Sequence, residues 1–456
     1  MLNRPLAARL LCVGDLHLGR RPARLAPQIQ QYGIDPREIT PATAWARAVD
    51  FAIAERVLAV LLTGDVVDAD NRYFEALTPL EIGLCRLRSA GIQVFAIAGN
   101  HDFDVLPQLA AQIPGFRVVG SGGTWEQIAL AHEGRVVCHL LGYSFAARHV
   151  TVSPLATPLP PRPRDPAPVI GLLHCDVDAP RSTYAPVSSA ELARAPVDRW
   201  LLGHVHKPQS SLATQAYGYL GSLVGLDPTE IGARGPWLVE LAPGAPPTLR
   251  HVELAPIRFT ELDLDVSTLP NPAVLRDATI DALRSHARAL AAERDPELAR
   301  RHPLRVVSCR LRLVGSTPHH GQLDRYVEEA QTNASHVEDG VLYCVESITD
   351  AATAALDYAE LARGNDLPAR VAHRLVVLAR PPEDAERAEL LASARAVLAP
   401  IAAHPRWRDC VDAPDRATSA PLGEPQLAAL LRHAAVRAID DLLAQRGGLR
   451  QEELPL

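Results

Sequence analysis

The 456-residue sequence predicts an α/β fold in which a β-sheet is covered by helices on both faces. Two observations predict this class. Short apolar segments that suit buried strands alternate with longer segments whose apolar residues recur at helical spacing. Several apolar segments are followed directly by Asp, Asn or His, at the position where open α/β sheets build their sites. Hydrophobic residues make up 47% and charged residues 22%, which suits an ordinary globular core.

The first half of the chain supplies this alternation. Strands are predicted at Leu10–Gly14, Val57–Thr63, Gly91–Ala98, Val136–Tyr143, Pro168–His174, Arg199–Gly203, Tyr217–Leu220, Trp237–Leu241 and Leu249–Leu254. Helices are predicted at Ala42–Ala54 and Ala76–Ala90. Between 148 and 168 the chain is rich in Pro and Arg, which predicts an extended surface loop.

The second half begins after a predicted linker at Val266–Pro272. A small α/β unit over 256–348 is predicted from the following helices and strands: Ala273–Glu293, Arg305–Val314, Gln322–Ala334 and Val341–Ile348. From Asp350 onward the chain is rich in Ala, Leu and Arg, and helices are predicted near 382–403 and 424–446. The expected domains are therefore 1–255, 256–348 and 349–456.

Charge and cysteine content narrow the classes of function. The formal net charge of −7 argues against a uniformly basic nucleic-acid surface, so such a surface would be local or supplied by a partner. The seven cysteines form no CxxC pair, which predicts reduced, buried thiols. We find no signal peptide and no apolar run near the roughly 18 residues that a membrane span needs. A cytoplasmic protein without membrane contact is expected.

Five polar segments carry the residues suited to chemistry. Carboxylate, amide and imidazole groups recur in them without a recurring thiolate, and such ligands suit hard-to-borderline divalent cations. A spacing of two along an extended segment directs both side chains to the same side, as for Asp15 with His17 and His204 with His206. The segments, each after an apolar stretch, are Gly14–His17, Gly64–Asp68, Gly99–Asp102, His174 and Gly203–His206.

Taken one at a time, these residues have ordinary explanations. A lone Asp-x-His is more often surface polarity or a turn, Asn100 alone suits a turn, and His174 alone suits a core position. Cys175 is interpreted as a packing residue despite its place beside His174. The remaining histidines match none of the segments and are interpreted as structural: His132, His139, His149, His251, His286, His302, His319, His320, His336, His373, His404 and His433.

The five segments together, D-x-H, G-D-x-x-D, G-N-H-D, H and G-H-x-H in this order, resemble the calcineurin-like metallophosphoesterases. The resemblance implies a four-layer sandwich of two packed sheets flanked by helices. A small α/β cap domain and a helical C-terminal region would follow it. It also implies two divalent metal ions, with Mn²⁺ expected, whereas the residue types also allow Fe²⁺ or Zn²⁺.

The family's site roles transfer to matching positions of this sequence. By resemblance, His101 would stabilise the transition state or protonate the leaving oxygen, and Asp102 would orient His101. Asp68 would lie outside the ligands. The implied ligands are Asp15, His17 and His206 for one metal, Asn100, His174 and His204 for the other, and Asp65 bridging both.

Longer segments resemble the SbcD and YhaO DNA exonucleases. They are Gly14–Gly19, Leu202–Gln209 and Tyr219–Leu223, followed by Glu230–Gly232 and Gly235–Glu240. The resemblance implies a two-metal exonuclease or endonuclease of DNA repair, a homodimer, and an SbcC-like coiled-coil ATPase partner that would dock on the helical tail. Leu220 departs from the pattern, because the family has Pro there. Candidate contacts to DNA phosphates are Arg20, Arg21, Arg24 and Lys207.

Three other functions remain open at this stage. The main alternative is a metallophosphoesterase that acts on nucleotides or small phosphodiesters, such as cyclic nucleotides, without DNA. A scaffold subunit with a decayed metal site is disfavoured by the complete ligand set. A protein phosphatase is disfavoured because the closing segments resemble the nuclease branch.

Overall fold

The computed structural model describes residues 8–68, 73–402 and 423–452. Its strands are β1 Ala8–Val13, β2 Ala59–Thr63, β3 Gln93–Ile97, β4 Phe116–Val118, β5 Trp125–His132, β6 Arg135–Tyr143, β7 Val169–His174, β8 Asp176–Val177, β9 Pro186–Val187, β10 Arg199–Gly203, β11 Tyr217–Tyr219, β12 Trp237–Leu241, β13 Thr248–His251, β14 Ile257–Asp265, β15 Val306–Val314, β16 Ser316–Thr317, β17 Ser335–Glu338, β18 Val341–Asp350 and β19 Thr353–Ala354.

Its α-helices are α1 Gln28–Gln31, α2 Pro41–Ala54, α3 Tyr73–Ser89, α4 Leu106–Gln112, α5 Ser189–Arg194, α6 Leu275–Glu293, α7 Pro296–Arg301, α8 Asp324–Asn333, α9 Tyr358–Leu361, α10 Leu367–Leu378, α11 Ala385–Ala402 and α12 Glu424–Glu452. Short 3₁₀ turns lie at Pro36–Ile39, Pro154–Ala156, Ser210–Ala213, Pro272–Val274 and His320–Gln322.

Two sheets form the first half of the chain. The first has the strand order β13-β12-β1-β2-β3-β4 and the second β11-β10-β7-β6-β5. Strands β1 to β4 run parallel to one another, and so do β6, β7, β10 and β11. Antiparallel strands complete the sheets, with β12 and β13 at one edge of the first and β5 at the edge of the second. The carboxyl ends of the parallel strands in each sheet therefore lie on the same side of that sheet, at the strand ends.

Alternating side chains of these strands enter different cores. In β1, Leu10 and Cys12 belong to a core made by residues of both sheets, whereas Leu11 and Val13 belong to a core shared with α2 and α3. In β10, Trp200 faces the outer side with α5. The order helices, sheet, sheet, helix confirms the predicted four-layer fold. It arises because buried strands are apolar on both faces and each face needs a covering layer.

Helix α2 illustrates how the outer layer forms. Pro41 occupies its first turn, where a missing backbone N–H costs nothing. Its buried residues recur at three- and four-residue spacing, and Trp45 is 1% exposed. The Trp45 Nε1–H donates to the Pro79 carbonyl oxygen of α3 at 3.2 Å. This bond and the shared apolar core join the two helices that cover the first sheet.

Spatial clustering divides the described residues into two compact units. The first contains the described residues up to Leu262 together with Thr279–Leu311 and Gln331–Ile348. The second contains Asp263–Ala278, Arg312–Ala330 and the described residues from Thr349 onward. These units follow proximity and not chain order, so the expected boundaries at 255 and 348 stay a prediction.

Some elements were not predicted from the sequence. The β5 strand pairs with β6 at a sheet edge, and most of its residues are half-buried or exposed, so its apolar alternation is weak. The β14 and β17 strands and the α10 helix were missed as well. The 148–168 segment contains no long regular element, as predicted, and its Leu155 and Leu159 pack on the outer core of the second sheet.

Five of the six described cysteines are buried, as predicted. Cys12, Cys138, Cys175, Cys309 and Cys344 are buried free thiols, and Cys85 is half-buried. Burial raises the pKa of the Cys175 thiol, as expected for a packing residue. The positions Cys410 and His404 lie outside the described residues. Among the described helices, none combines the length and apolar character that a bilayer crossing would require.

Candidate metal centre

The polar segments converge at the carboxyl ends of parallel strands from both sheets. Asp15 and His17 follow β1, Asp65 follows β2, and Asn100 and His101 follow β3. From the second sheet, His174 ends β7, while His204 and His206 follow β10. Backbone amides of Leu16 and His17 donate to the Asp65 carbonyl oxygen at 3.1 and 2.8 Å, so the first two loops support each other. The predicted strand-end site therefore exists as one cluster.

The first ligand group consists of Asp15, His17 and His206, whose ligand atoms lie within 4.8 Å of one another. The Nε2 atoms of His17 and His206 are 3.0 Å apart. The Nδ1 of His206 lies 2.8 Å from Glu230 Oε1, which as a carboxylate accepts the Nδ1 hydrogen and leaves a lone pair on Nε2. Asp15 Oδ1 accepts the backbone N–H of His204 at 2.9 Å, whereas Oδ2 is buried without a hydrogen-bond partner. A cation would satisfy these acceptors.

The second group centres on His174, which is fully buried. Its Nδ1 lies 3.0 Å from the Thr63 carbonyl oxygen, an acceptor, so Nδ1 carries the hydrogen and donates. Its Nε2 faces Asn100 Oδ1 at 3.0 Å and Asp65 Oδ2 at 3.4 Å. When the His174 ring is neutral, the Nε2 lone pair therefore faces two oxygen acceptors in a buried space. Positive charge between them removes the conflict, and Asp15, Asp65 and His174 form a second group of ligand size.

The electrostatics of the cluster favour that positive charge. Burial by itself lowers the pKa of His174, but the Asp65 carboxylate reverses the effect and raises it to about 9. Burial by itself raises the pKa of Asp65, yet the imidazoles of His174, His17 and His101 hold it well below its usual range. Divalent cations that accept oxygen and imidazole ligands fit such a donor set. The residues present therefore fit the two implied ions.

Asp65 lies between the two groups. Its Oδ2 is 3.4 Å from His174 Nε2 and 3.8 Å from His17 Nε2, the position that a bridging ligand needs. Its Oδ1 accepts the backbone N–H of His101 at 2.9 Å. The backbone of Asp65 is left-handed, with φ of 47°, which non-glycine residues adopt only under constraint. Its carboxylate is therefore held in a fixed direction.

His204 lies beside the cluster, but its Nε2 faces Asp176 and not the other candidate ligands. Its Nε2 lies 3.5 Å from Asp176 Oδ1, and its ring centroid lies 4.8 Å from that of Tyr184. It belongs to none of the His, Cys, Asp and Glu groups of ligand size found among the described residues. With Nε2 directed to Asp176, Nδ1 is the atom that can bind an ion. The Asp176 contact was not predicted, because no sequence motif marks that aspartate.

Asp102 lies where two ligand loops meet, and its role in orienting His101 stays a prediction. Its carboxylate is fully buried and accepts backbone N–H groups from Gly99 at 2.8 Å and from Val66 and Val67 at 2.7 and 3.3 Å. It therefore joins two ligand loops. Burial, together with the nearby Asp65 carboxylate, raises the pKa of Asp102 to about 7 although the amide donors oppose the change.

Asp68 is the aspartate that faces His101. Its Oδ1 lies 3.8 Å from His101 Nδ1 and its Oδ2 lies 3.5 Å from His17 Nδ1. Arg20 Nε also approaches Asp68 Oδ2, at 3.4 Å. Burial raises the pKa of Asp68, but His17 overcomes this effect and lowers it, which favours the carboxylate. Asp68 thus contacts the outer nitrogen of both a candidate ligand and His101, whose side chain is 28% exposed beside the cluster.

Glu230 and Arg234 are site residues to which sequence reasoning assigned no role. Besides binding His206, Glu230 accepts the Leu226 backbone N–H at 3.1 Å and the Ser222 hydroxyl at 3.2 Å through Oε2. Arg234 is 2% exposed, and its Nη1 donates to the His206 carbonyl oxygen. The signal that could have identified Glu230 is its place in the Glu230–Gly232 segment that resembles the family.

Two glycines keep space open around the ligands. A Cβ on Gly99 would lie 2.3 Å from Asp65 Oδ1, and a Cβ on Gly203 would lie 2.1 Å from the Thr63 carbonyl oxygen. Any side chain there would displace the atoms that orient Asp65 and His174. Glycine is needed at both positions because the loops approach more closely than a methyl group permits.

The residues predicted to contact DNA phosphates differ in their surroundings. Arg20 is held by Asp68, whereas Arg21 is paired with Glu75 at 3.3 Å and Arg24 with Asp227 at 2.9 Å on the surface. Lys207 is exposed directly after the last ligand segment. Of the three arginines, Arg20 is the one whose acidic partner, Asp68, lies beside the candidate ligands.

Comparison with known proteins agrees with this geometry. Residues 8–208 match the sequence profile of the calcineurin-like phosphoesterases. The chain is 31% identical over 199 residues to the uncharacterized metallophosphoesterase YhaO of Bacillus subtilis. The aligned region covers 43% of this chain and 48% of YhaO. It is 35% identical over 94 residues to the DNA double-strand break repair protein Mre11 of Sulfolobus acidocaldarius. That aligned region covers 21% of this chain and 22% of Mre11. The chain thus spans less than half the length of these relatives.

A solved dimetal phosphatase from Danio rerio is a distant structural neighbour, with 13% identity and a TM-score of 0.32 over 52% of this chain and 94% of that one. The layered fold and the acidic and histidine cluster suit the class of metal-dependent phosphoesterases. Within that class, residues 8–208 are similar to the calcineurin-like phosphoesterases.

Proposed function

We propose that the protein is a two-metal-dependent nuclease that hydrolyses phosphodiester bonds of DNA. The observation that carries the proposal is the pair of ligand groups that share Asp15, with Asp65 lying between them. These residues would hold two ions, which when bound would supply an activated water molecule and neutralise charge on the phosphoryl oxygens. Such a site acts on a phosphodiester without a covalent enzyme intermediate.

The residues of the chain then have separate tasks. Asp15, His17 and His206 would hold one ion. Asn100, His174 and the Nδ1 of His204 would hold the other, and Asp65 would contact both. Thr63 and Glu230 fix the hydrogen of His174 and His206 on Nδ1, so that each Nε2 is directed to an ion.

His101 has a place of its own beside the ligands. It is exposed enough to contact a bound phosphodiester, and Asp68 faces its Nδ1. This placement supports a role in stabilising the transition state or protonating the leaving oxygen.

Similarity to Mre11 supports DNA as the substrate, because that relative is a double-strand break repair protein. We extend the proposal to Mn²⁺ as the preferred metal, to exonuclease or endonuclease activity in DNA repair, to a homodimer and to an SbcC-like ATPase partner. The net charge of −7 supports such a partner, since a partner would add basic surface to a chain of net negative charge.

A second candidate is a phosphodiesterase of nucleotides or other small diesters. The pairing of Arg21 with Glu75 and of Arg24 with Asp227 favours it. Cations already neutralised by acids contribute less to binding a long polyanion. A small diester needs only the ions and the residues beside them.

An assay across substrates separates the two candidates. The purified chain is incubated with Mn²⁺, Mg²⁺ or Zn²⁺ and with linear duplex, single-stranded and circular DNA, and separately with cyclic nucleotides. We expect Mn²⁺-dependent degradation of linear DNA that is lost in Asn100→Ala and His204→Ala. His132→Ala, a histidine outside the cluster, is the matched control and should keep full activity.

The outcomes differ clearly. Hydrolysis of cyclic nucleotides with intact DNA would replace the nuclease proposal with the second candidate. The His101→Ala variant tests the assigned roles, because it should bind metal normally by calorimetry yet lose most turnover. Loss of metal binding in that variant would contradict the role given to His101.

A further inference from the structure

A series of aromatic rings leads from the candidate metal centre to the surface. The His174 ring centroid lies 5.1 Å from that of His204, which lies 4.8 Å from that of Tyr184, which lies 5.6 Å from that of His149. Exposure increases along the series, from buried His174 through half-buried His204 and Tyr184 to exposed His149. The last two pairs are each tilted by 40°, which is closer to stacking than to an edge-on contact.

Backbone pairing fixes the outer part of this series. The Val150 N–H donates to Thr183 O at 2.9 Å, and the Ala185 N–H donates to Val150 O at 2.7 Å. The Asp176 N–H donates to the Tyr184 carbonyl oxygen at 3.0 Å. Tyr184 therefore stands in a short, paired segment, and the residue after His149 is paired to the same segment. A pre-ordered ring loses little entropy when it binds a ligand.

Packing explains Tyr184 only in part. Its ring contacts the outer core of the second sheet, as a structural residue would. His149, however, is exposed and buries no core surface, yet its ring lies beside Tyr184. Rings held in this way next to a phosphodiester site match the platforms on which unpaired bases stack.

We propose that Tyr184 and His149 form a subsite for an unpaired nucleobase attached to the phosphodiester at the metal centre. The inference rests on the proposed phosphodiesterase function and names its substrate class. The base packs against the accessible part of the half-buried Tyr184 ring, and His149 borders it. Stacking requires a base that is free of its duplex partner, so single strands and frayed ends are the preferred substrates. Every base has an aromatic face, so the subsite tolerates different sequences.

A substrate that lacks one base tests the subsite. Single-stranded oligonucleotides carry either a normal base or an abasic sugar at the terminal nucleotide, at each end in turn. For Tyr184→Ala, we expect kcat/KM on the normal substrate to fall by roughly five- to a hundredfold, the range of one base–aromatic stack. On the abasic substrate the variant and the wild type should agree within about twofold. Tyr184→Phe keeps the ring and should retain activity on both.

Controls make each outcome decisive. Tyr32 is 51% exposed and lies outside the ring series, so Tyr32→Ala should show no dependence on the base. Equal loss on normal and abasic substrates in Tyr184→Ala would overturn the proposal, because Tyr184 would then act only by supporting His204 or the fold. Unchanged activity on both would overturn it as well.

A binding measurement separates this inference from the proposed function. In chelator, the wild type should change the fluorescence of a terminal 2-aminopurine on a single-stranded oligonucleotide, and Tyr184→Ala should not. A protein that shows this change but cleaves no DNA with any metal would refute the nuclease while keeping the subsite. A protein that cleaves DNA without a Tyr184-dependent fluorescence change would refute the subsite alone.

Discussion

The tautomer of each histidine decides whether it can bind a metal ion. His174 and His206 both have Nδ1 beside an oxygen acceptor, Thr63 O at 3.0 Å and Glu230 Oε1 at 2.8 Å. Each therefore presents an Nε2 lone pair to the centre of the cluster. The D-x-H and G-H-x-H motifs predicted the ligands themselves, whereas the acceptors behind them come from distant or unmarked positions. A sequence motif identifies the histidines, but it does not identify the hydrogen-bond acceptors that fix the orientation of their imidazole rings.

Glu230→Ala should weaken metal binding by about 10- to 100-fold, because His206 loses the acceptor that fixes its tautomer and ring. Glu230→Gln should fall between the variant and the wild type, since its amide oxygen can still accept the Nδ1 hydrogen. Isothermal titration with Mn²⁺ measures the change. Glu240→Ala removes an exposed glutamate paired with Arg9 and serves as the control. Equal affinities for Glu230→Ala and wild type would contradict the role of Glu230.

Asp102→Ala should lower the free energy of unfolding by at least about 3 kcal/mol, because it leaves the buried amides of Gly99, Val66 and Val67 without an acceptor. Urea denaturation in chelator measures this without the contribution of bound metal. Asp104→Ala changes an exposed neighbour and should have little effect. An Asp102→Ala variant of normal stability that loses only turnover would support the prediction that Asp102 orients His101.

At the level of elements, the ligand loops hold one another in strained backbone conformations. His17, Asp65 and His204 have φ of 47°, 47° and 97°, which cost on the order of 1–3 kcal/mol each for non-glycine residues. The His17 N–H donates to Asp65 O, and the His204 N–H donates to Asp15 Oδ1, so loops from both sheets are joined directly. Sequence patterns located these loops at strand ends, but only the packing of two sheets brings them together.

The β13 strand carries a histidine that should make stability depend on pH. Burial lowers the pKa of His251 to about 4, and nearby Arg234 adds to the effect. The unfolded chain, with a pKa near 6.5, binds a proton that the folded chain excludes between those values. Stability is therefore unaffected above about pH 6.5 and decreases as the pH falls toward 4, by at most about 3 kcal/mol.

The measurement is urea unfolding at several pH values for the wild type and for His251→Phe, which keeps a ring against Trp237. The two stability profiles should diverge below pH 6.5, with the wild type falling more steeply. Parallel profiles between pH 4.5 and 6.5 would mean that His251 is not the responsible group. The comparison between variants cancels the titration of the ligand cluster, which both proteins share.

For the whole molecule, metal binding should stabilise the fold, because the ligands converge only in the folded chain. Mn²⁺ at about 100 times its dissociation constant should add about 2.7 kcal/mol to the free energy of unfolding. Thermal denaturation with Mn²⁺ and with chelator measures the difference as a shift in Tm. The double variant His174→Ala with His206→Ala should melt at the same temperature in both conditions. A chelator-independent wild type would contradict the metal centre.

The net charge also acts at this scale. A net charge of −7 disfavours a polyanion, so the proposed contact with DNA would depend on bound cations and on local basic residues. Arg20 and Lys207 adjoin the ligand segments, while Arg21 and Arg24 are paired with acids. The proposed SbcC-like partner would therefore supply positive charge outside the candidate metal centre.

The sequence by itself determined the α/β class, the strand-end position of the cluster and which residues are its candidate ligands. These follow from local patterns, since apolar periodicity and motif spacing are properties of short segments. Tertiary structure alone decided that Asp102 binds backbone amides, that Asp68 faces His101 and that Glu230 fixes His206. Those contacts join residues from different strands and loops, and their geometry depends on how two sheets pack. No segment of the chain contains that information alone.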